Sequence, residues 1–448
     1  MSIYKECDIR GIYGSEFDDD TAYDIGRAVG SRMCGKNLAV AGDVRLSTPA
    51  LKKRLIEGLL ESGADVVDIG MAPTPAFYFA LHTLDVDGGV TVTASHNPAQ
   101  YNGFKLMFGD LPVTPEIMAD IERRTAVRDY TEGSGAITNA DITPLYVESL
   151  CGHFRQGSLK VVIDCANGAM SEIAPHVFTR LGYDVVPLYC TFDGSFPNRD
   201  PNPAVYSHLS DLCASVKKNG ADMGIAFDGD GDRVVFVDDR GETVQGEFSL
   251  VLMIQKYLSQ KPAPVVFDLK SSSVVSDAVK RLGGTPLMER SGHAFIKRRF
   301  LEQHAALAGE ISGHFFFEEL GYDDGLYAAA VMAGIVSGAG EPLSALVGRI
   351  PKTLITPDLR LFVPYAGRDA LLEKVERLAA FGHVSRLDGV RVDFEDGWLL
   401  VRKSVTEEAV TLRMEARAQQ AMDRIKQLVR EQVPELAAAF AEKGNSKA

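Results

Sequence analysis

Leu38-Ala-Val-Ala-Gly-Asp43 is an apolar run that ends in a glycine and a carboxylate, and its surroundings set the fold. A helix-like stretch over residues 51–61 comes next, then Ser62-Gly63-Ala64 and a second run, Asp65-Val-Val-Asp-Ile69. Short β-branched runs bounded by polar turns read as strands, and apolar spacings of three and four read as a helix. The same layout recurs. Val161-Val-Ile-Asp164 leads to a helix-like stretch ending near Leu181-Gly182 and then Asp184-Val-Val-Pro-Leu188. Val265-Val-Phe-Asp268 leads to residues 274–282, a Gly-Gly turn and Thr285-Pro-Leu-Met288. Strand, loop, helix, turn and strand, three times over, predicts three related α/β domains, each with a mixed, mostly parallel sheet covered by helices.

The repeat places domains at 1–143, 144–244 and 245–354, with the Gly/Ser/Thr-rich residues 130–143 as the first linker. Beyond Pro351 the pattern changes to a helix-like 369–378, a strand-like Gly389-Val-Arg-Val-Asp-Phe394 and a helix-like 417–440. This predicts a smaller C-terminal α+β domain over 355–448. A chain of 448 residues, 46% hydrophobic and 24% charged, suits several globular cores. The net charge of −14 argues against nonspecific nucleic-acid binding, which needs basic surface. The longest apolar run, 326–339, is too short for a membrane helix, and Met-Ser-Ile-Tyr-Lys-Glu lacks a signal core, so the expected location is the cytoplasm. Six scattered cysteines without a Cys-x-x-Cys pair read as reduced thiols.

Chemistry concentrates in three segments. Thr93-Ala-Ser-His-Asn-Pro98 ends the apolar run Gly88-Gly-Val-Thr-Val-Thr93 and offers the hydroxyl of Ser95 beside His96. Alone, a Ser-His pair is more often a polar turn. Asp228-Gly-Asp-Gly-Asp-Arg233 sets three carboxylates at alternate positions, with glycines that let the backbone curl round a hard divalent cation. An EF-hand loop fits poorly, because Arg233 and Asp239 stand where that loop needs glycine and glutamate. The reading preferred over a solvated acidic turn is magnesium on Asp228, Asp230 and Asp232. Gly309-Glu-Ile-Ser-Gly-His314 is the third polar cluster. Magnesium beside a serine suggests phosphoryl transfer, and Ser95 is read as the phosphate carrier.

Together with Asp8-Ile-Arg-Gly11, Tyr101-Asn-Gly-Phe-Lys105 and Arg402-Lys-Ser-Val-Thr-Glu407, these segments occur in an order and separation that resemble the α-D-phosphohexomutases, in the phosphomannomutase/phosphoglucomutase branch. The resemblance spans nearly the full length and implies four domains around a central cleft. It implies that phospho-Ser95 gives its phosphoryl group to a hexose monophosphate, that the bisphosphate intermediate turns around, and that Ser95 takes back the other phosphate. A 6-phosphosugar then becomes a 1-phosphosugar, reversibly. One Mg2+ would sit on Ser95, Asp228, Asp230 and Asp232. Lys105, Arg10, His96 and Arg233 would serve proton transfer and charge at the serine. Glu310 and Ser312 would read the 3- and 4-hydroxyls of the sugar and leave the 2-position unread, with Lys270, His293 and His314 lining the cleft. Arg402, Ser404 and Thr406 would grip the phosphate that is not reacting.

Three positions depart from the family pattern. Val405 stands where asparagine or glycine is usual, Glu408 where proline is common, and Cys7 where tyrosine often precedes Asp-Ile-Arg-Gly. Trp398, the only tryptophan, is expected to pack the small domain. Phosphoglucosamine mutase is the nearest alternative, and Ile311 in place of glutamine leans against it. A metal-dependent phosphatase would release inorganic phosphate, and a non-catalytic metal-binding protein would carry no phosphate on Ser95. The expected assembly is a monomer or homodimer acting on a phosphosugar, with no nucleic acid or membrane as partner.

Overall fold

The computed structural model describes residues 2–404 and 408–440, and it contains four sheets. The first is ordered Asp8–Ile12, Tyr101–Phe108, Gly88–Val92, Asn37–Gly42, Asp65–Met71, Ile137–Asn139, with Leu111–Pro112 paired to Tyr101–Phe108. The second runs Thr243–Val244, Val234–Val237, Met223–Phe227, Lys160–Asp164, Asp184–Leu188. The third runs Thr285–Glu289, Pro264–Asp268, Leu307–Gly309, Phe315–Phe317, Tyr322–Asp323. The fourth has six strands, is antiparallel throughout, and is built round Gly397–Lys403 and Ala409–Ala416. Three α/β units with mixed sheets and a smaller C-terminal unit are therefore present.

One correction concerns residues 130–143. A strand, Ile137–Asn139, sits inside the expected linker and joins the edge of the first sheet, parallel to Asp65–Met71. Three exposed residues, Ile137, Thr138 and Asn139, are too short a run to show apolar patterning, and an edge strand held by backbone pairing needs no buried face. The final helix-like stretch is also shorter than its pattern suggests. An α-helix covers Gln419–Gln432, and Pro434, which cannot continue it, opens a 3-10 turn to Phe440.

The first three sheets share a switch in strand direction. Gly88–Val92 is parallel to Asn37–Gly42 and antiparallel to Tyr101–Phe108. Met223–Phe227 is parallel to Lys160–Asp164 and antiparallel to Val234–Val237, and Leu307–Gly309 stands likewise between Pro264–Asp268 and Phe315–Phe317. Each such strand is buried and ends in a polar loop, which carries Ser95, the aspartates or Glu310. Sites in α/β sheets gather at the carboxyl ends of strands, where topology switches. Here three such ends meet.

Close packing fixes the first unit. The helices Asp19–Arg32 and Thr48–Glu61 cross at Gly26 and Gly58, where a Cβ on Gly26 would lie 2.2 Å from the Leu55 carbonyl oxygen. Helix Gly325–Ala339 is capped by Asp324, whose Oδ1 accepts from Leu326 N at 2.8 Å and Tyr327 N at 2.9 Å. It is a core helix, and no helix among the described residues is long and apolar enough to cross a membrane.

The first and third units meet where Lys297 of helix His293–Glu302 is buried with its ammonium 4.2 Å from the centre of the Tyr78 ring. Its Nζ has no hydrogen-bond partner among the described residues. Burial pulls this lysine down from 10.5 to about 8. Between those values the unfolded chain holds a proton that the folded chain has released, so stability rises with pH across that window. At pH 7 the buried cation is a liability. Lys297→Met is therefore expected to exceed the parent in stability at pH 7 by about 1–3 kcal/mol, the scale of removing a poorly paired buried charge. Urea midpoints measured from neutral pH to roughly pH 10 should show that gap closing as the parent lysine loses its proton; a gap independent of pH would contradict it.

Candidate functional site

Ser95 closes the loop after Gly88–Val92 with φ 50, a left-handed backbone that a serine adopts only under constraint. Much of the constraint is Arg45, a buried guanidinium that no motif in the sequence points to. Its Nη2 donates to the carbonyls of Ser95 at 2.8 Å and Asn97 at 2.6 Å, and its Nη1 to those of Pro98 at 2.7 Å and Tyr101 at 3.0 Å. Asp43 orients Arg45 through Nε at 3.0 Å and also accepts from Thr93 Oγ1 at 2.8 Å. Ser95 Oγ is thereby aimed out of its own domain, donating to Asp228 Oδ2 at 2.9 Å with His96 Nδ1 at 3.3 Å.

Asp228, Asp230 and Asp232 are fully buried, and one oxygen from each lies within 4.8 Å of the others. Backbone N–H groups of Gly231 and Arg233 donate to Asp228 Oδ1 at 2.9 and 3.2 Å. Domain I reaches across as well: Thr74 Oγ1 donates to Asp230 Oδ2 at 2.6 Å, and Lys105 Nζ lies 2.6 Å from Asp230 and 2.5 Å from Asp232. Burial pushes the Asp228 carboxyl up, and its two carboxylate neighbours add to the rise. Burial acts on Asp230 in the same sense, yet the Lys105 ammonium outweighs it and holds Asp230 below the usual carboxylate range. Burial lowers and the two carboxylates raise Lys105, with a net rise that keeps it charged. Oδ1 of Asp230 and of Asp232 is buried without a hydrogen-bond partner among the described residues. Unpaired buried carboxylate oxygens beside a serine hydroxyl form an all-oxygen donor set, which fits a hard divalent cation.

A cleft of about 500 Å³ opens over this cluster, lined among others by Arg10, Ser95, Lys105, Asp232, Arg233, His293, Glu310 and His314. Arg10 is held by Asp8 Oδ2 at 2.7 Å and Asn97 Oδ1 at 2.9 Å. Arg233 Nε donates to His314 Nε2 at 3.0 Å, which leaves the His314 proton on Nδ1, facing Asp323 Oδ2 at 2.6 Å. Asp323 also accepts from His293 Nε2 at 2.9 Å, so one buried carboxylate orients both histidines. Burial, with the Arg233 and Arg10 charges added, drives His96 far down, and this histidine is neutral. Glu310 Oε2 and Ser312 Oγ are buried and unpartnered among the described residues.

Other expected residues stand apart from this group. Lys270 Nζ pairs with Asp358 at 2.8 Å, and Arg402 pairs with Asp388. The Ser404 carbonyl accepts from Arg368 Nη1 at 2.7 Å. Thr406 and Val405 lie outside the described residues. Glu408 is tied back into its own domain, its carbonyl accepting from Val363 N at 2.9 Å. Trp398 is buried against Leu269 and Leu400 under the Arg391 guanidinium, so it packs the seam between the third and fourth units.

Family models cover the chain in four consecutive pieces. Phosphoglucomutase/phosphomannomutase alpha/beta/alpha domains I, II and III match residues 1–132, 143–241 and 245–354, and the C-terminal domain of the same family matches 363–432. A phosphomannomutase/phosphoglucomutase of Pseudomonas aeruginosa is 40% identical over 441 residues, covering 96% of this chain and 95% of that protein. A phosphoglucomutase of Neisseria gonorrhoeae is 38% identical, covering 94% and 95%. The crystal structure of a phosphoglucomutase/phosphomannomutase family protein from Burkholderia thailandensis superposes with a TM-score of 0.91 at 37% identity, over 99% of this chain and 98% of that one. With the serine loop, the aspartate triplet and the Glu310 loop meeting in one cleft, the chain belongs to the phosphoglucomutase/phosphomannomutase family.

Proposed function

We propose that this cleft interconverts hexose 6-phosphates and hexose 1-phosphates through a phosphorylated Ser95 and a bisphosphorylated sugar. The observation that carries this reading is the 2.9 Å hydrogen bond from Ser95 Oγ to Asp228 Oδ2, made between two domains. It sets a hydroxyl, three buried carboxylates and the half-buried Lys105 ammonium at the end of a sugar-sized cleft. Domain limits near 143, 244 and 354 put the serine, the aspartates and Glu310 on separate bodies.

When the sugar hydroxyl takes the phosphoryl group, its oxygen forms the new P–O bond, the bond to Ser95 Oγ breaks, and a proton passes from the sugar to the leaving serine oxygen. In the return step Ser95 Oγ must lose that proton. Asp228 Oδ2 and neutral His96 Nδ1 are the acceptors in contact with it. Lys105, charged and bonded to Asp230 and Asp232, offsets negative charge beside the serine. Arg10 and Arg233 bring two more positive charges to the cleft wall.

Asp228, Asp230, Asp232 and the Ser95 oxygen would hold a magnesium ion, which when bound neutralises charge on the transferring phosphoryl oxygens. Glu310 and Ser312 supply an acceptor and a donor/acceptor for sugar hydroxyls, and their unpaired buried oxygens are costly until such partners arrive. Contacts to the 3- and 4-hydroxyls leave the 2-position unread and admit both glucose and mannose phosphates. The pairs Lys270–Asp358 and Arg402–Asp388 must open if these cations are to meet the distal phosphate.

Three measurements test the reading. Ser95→Ala, checked for native secondary structure, is expected to lose more than about a thousandfold in mutase turnover, the scale of removing a nucleophile; near-parent turnover would refute the phosphoserine route. Chelation should stop turnover and added magnesium restore it. Asp230→Asn should raise the magnesium needed for half-maximal rate by at least the roughly tenfold seen when mere outer partners of a metal are lost. Turnover indifferent to chelator and to this substitution would assign the carboxylates another task.

A further inference from the structure

Outside the cleft, two of the six scattered cysteines meet. Cys165 follows the strand Lys160–Asp164 and Cys190 follows Asp184–Leu188, and their Sγ atoms lie 3.3 Å apart across 25 residues of sequence. Pairing between these neighbouring parallel strands continues into the two loops, with Cys165 N donating to Leu188 O at 3.2 Å and Asn167 N to Tyr189 O at 2.8 Å. Neighbouring strands run about 4.8 Å apart. The register pairs Asp164 with Leu188, so Cys165 and Cys190 lie one position out of step just past the strand ends, and it is their side chains that bring the sulfurs together. Both thiols are free, Cys165 buried and Cys190 half-buried.

The Cys165 loop has no slack and backs the metal loop. Ala166 and Asn167 hold φ 50 and 59. Ala169 N donates to Gly229 O at 2.9 Å, and a Cβ on Gly168 would lie 2.6 Å from the same oxygen. A Cβ on Gly231 would lie 2.5 Å from Met170. Drawing the sulfurs from 3.3 Å to the roughly 2.05 Å of a covalent bond therefore moves the wall behind Asp228, Asp230 and Asp232.

We propose that Cys165 and Cys190 are a reversible oxidation site, closed to a disulfide by a peroxide, and that closure slows turnover by shifting the loop against the aspartate cluster. The half-buried Cys190 thiolate attacks one peroxide oxygen, the O–O bond breaks, and hydroxide leaves a sulfenic acid on Cys190. Cys165 sulfur then displaces the sulfenic oxygen, which departs as water with the thiol proton. For hydrogen peroxide, two thiols and one peroxide give one disulfide and two waters. Burial pushes the Cys165 thiol up, and Cys190 is the less buried of the two, which agrees with Cys190 meeting the peroxide first.

The effect on turnover rests on the mutase reading above, whereas the disulfide does not. Reduced protein is treated with hydrogen peroxide, digested without reductant and mapped by mass, in parallel with a mutase assay. The expected result is a Cys165–Cys190 linked peptide, two hydrogens lighter than its parts. Turnover should fall between about tenfold and a hundredfold, the cost of an ångström-scale misplacement, and return with dithiothreitol. Cys190→Ser and Cys190→Ala should keep the starting activity and resist peroxide. Free Cys165 and Cys190 after treatment, a linked peptide with unchanged turnover, or equal peroxide sensitivity in both variants would each overturn the proposal. Reduced protein with no mutase activity would fail the functional reading alone, and the peptide map would still decide the disulfide.

Discussion

Three carboxylates buried on one short loop repel one another, and the neighbouring domains are arranged around that repulsion. With oxygens within 4.8 Å of one another, each ionised pair costs about 3–4 kcal/mol at an effective dielectric near 20. That is a large part of the roughly 5–15 kcal/mol by which a domain is stable. Lys105, Thr74 and Thr93 of the first domain supply the offset for Asp230 and Asp232, and the Gly231 and Arg233 amides supply it for Asp228. Two oxygens are still left over, which is the opening a cation fills. The serine arrives on the same seam because Arg45 gathers four carbonyls of its loop.

The third domain docks by the same logic. The Arg233–His314 contact and the backbone bond from Val234 N to Gly313 O, 3.0 Å, tie the metal loop to the Glu310 loop. Asp323 then fixes His314 and His293 together. The fourth domain is held differently, through Trp398 against Leu269, Arg391 on the Leu269 carbonyl and Ser273 on Glu415. Its own cations, Arg402 and Lys403, are paired with Asp388 and Asp369 on the same domain. Reaching a bisphosphate in the cleft thus requires exchanging carboxylate partners for phosphate, which suits a domain that adjusts as the intermediate turns.

The repeat Leu38–Asp43, Val161–Asp164 and Val265–Asp268 was legible because buried parallel strands are nearly all apolar, and local composition states that plainly. Ser95, the aspartates and Glu310 were legible as short polar interruptions after such strands. Arg45 and Asp323 were not, since a clamp on four carbonyls or a carboxylate shared by two histidines exists only between segments far apart in sequence. The same holds for Cys165 and Cys190. Nor could spacing show that the three reactive loops are equivalent hairpins at a parallel-to-antiparallel switch, because strand order is a property of the assembled sheet. Lys105 came from the family resemblance, and its bond to two aspartates depends on a second domain.

If one serine oxygen carries the phosphoryl group in both directions, that oxygen can be labelled and then discharged. The protein is incubated with a hexose 1,6-bisphosphate bearing isotopically labelled phosphate, and the labelled peptide is mapped. Label is expected on Ser95, transferred to sugar when unlabelled hexose 1-phosphate is added. Label on another residue, no covalent label, or label discharged as inorganic phosphate in place of phosphosugar would contradict a serine-borne phosphoryl group.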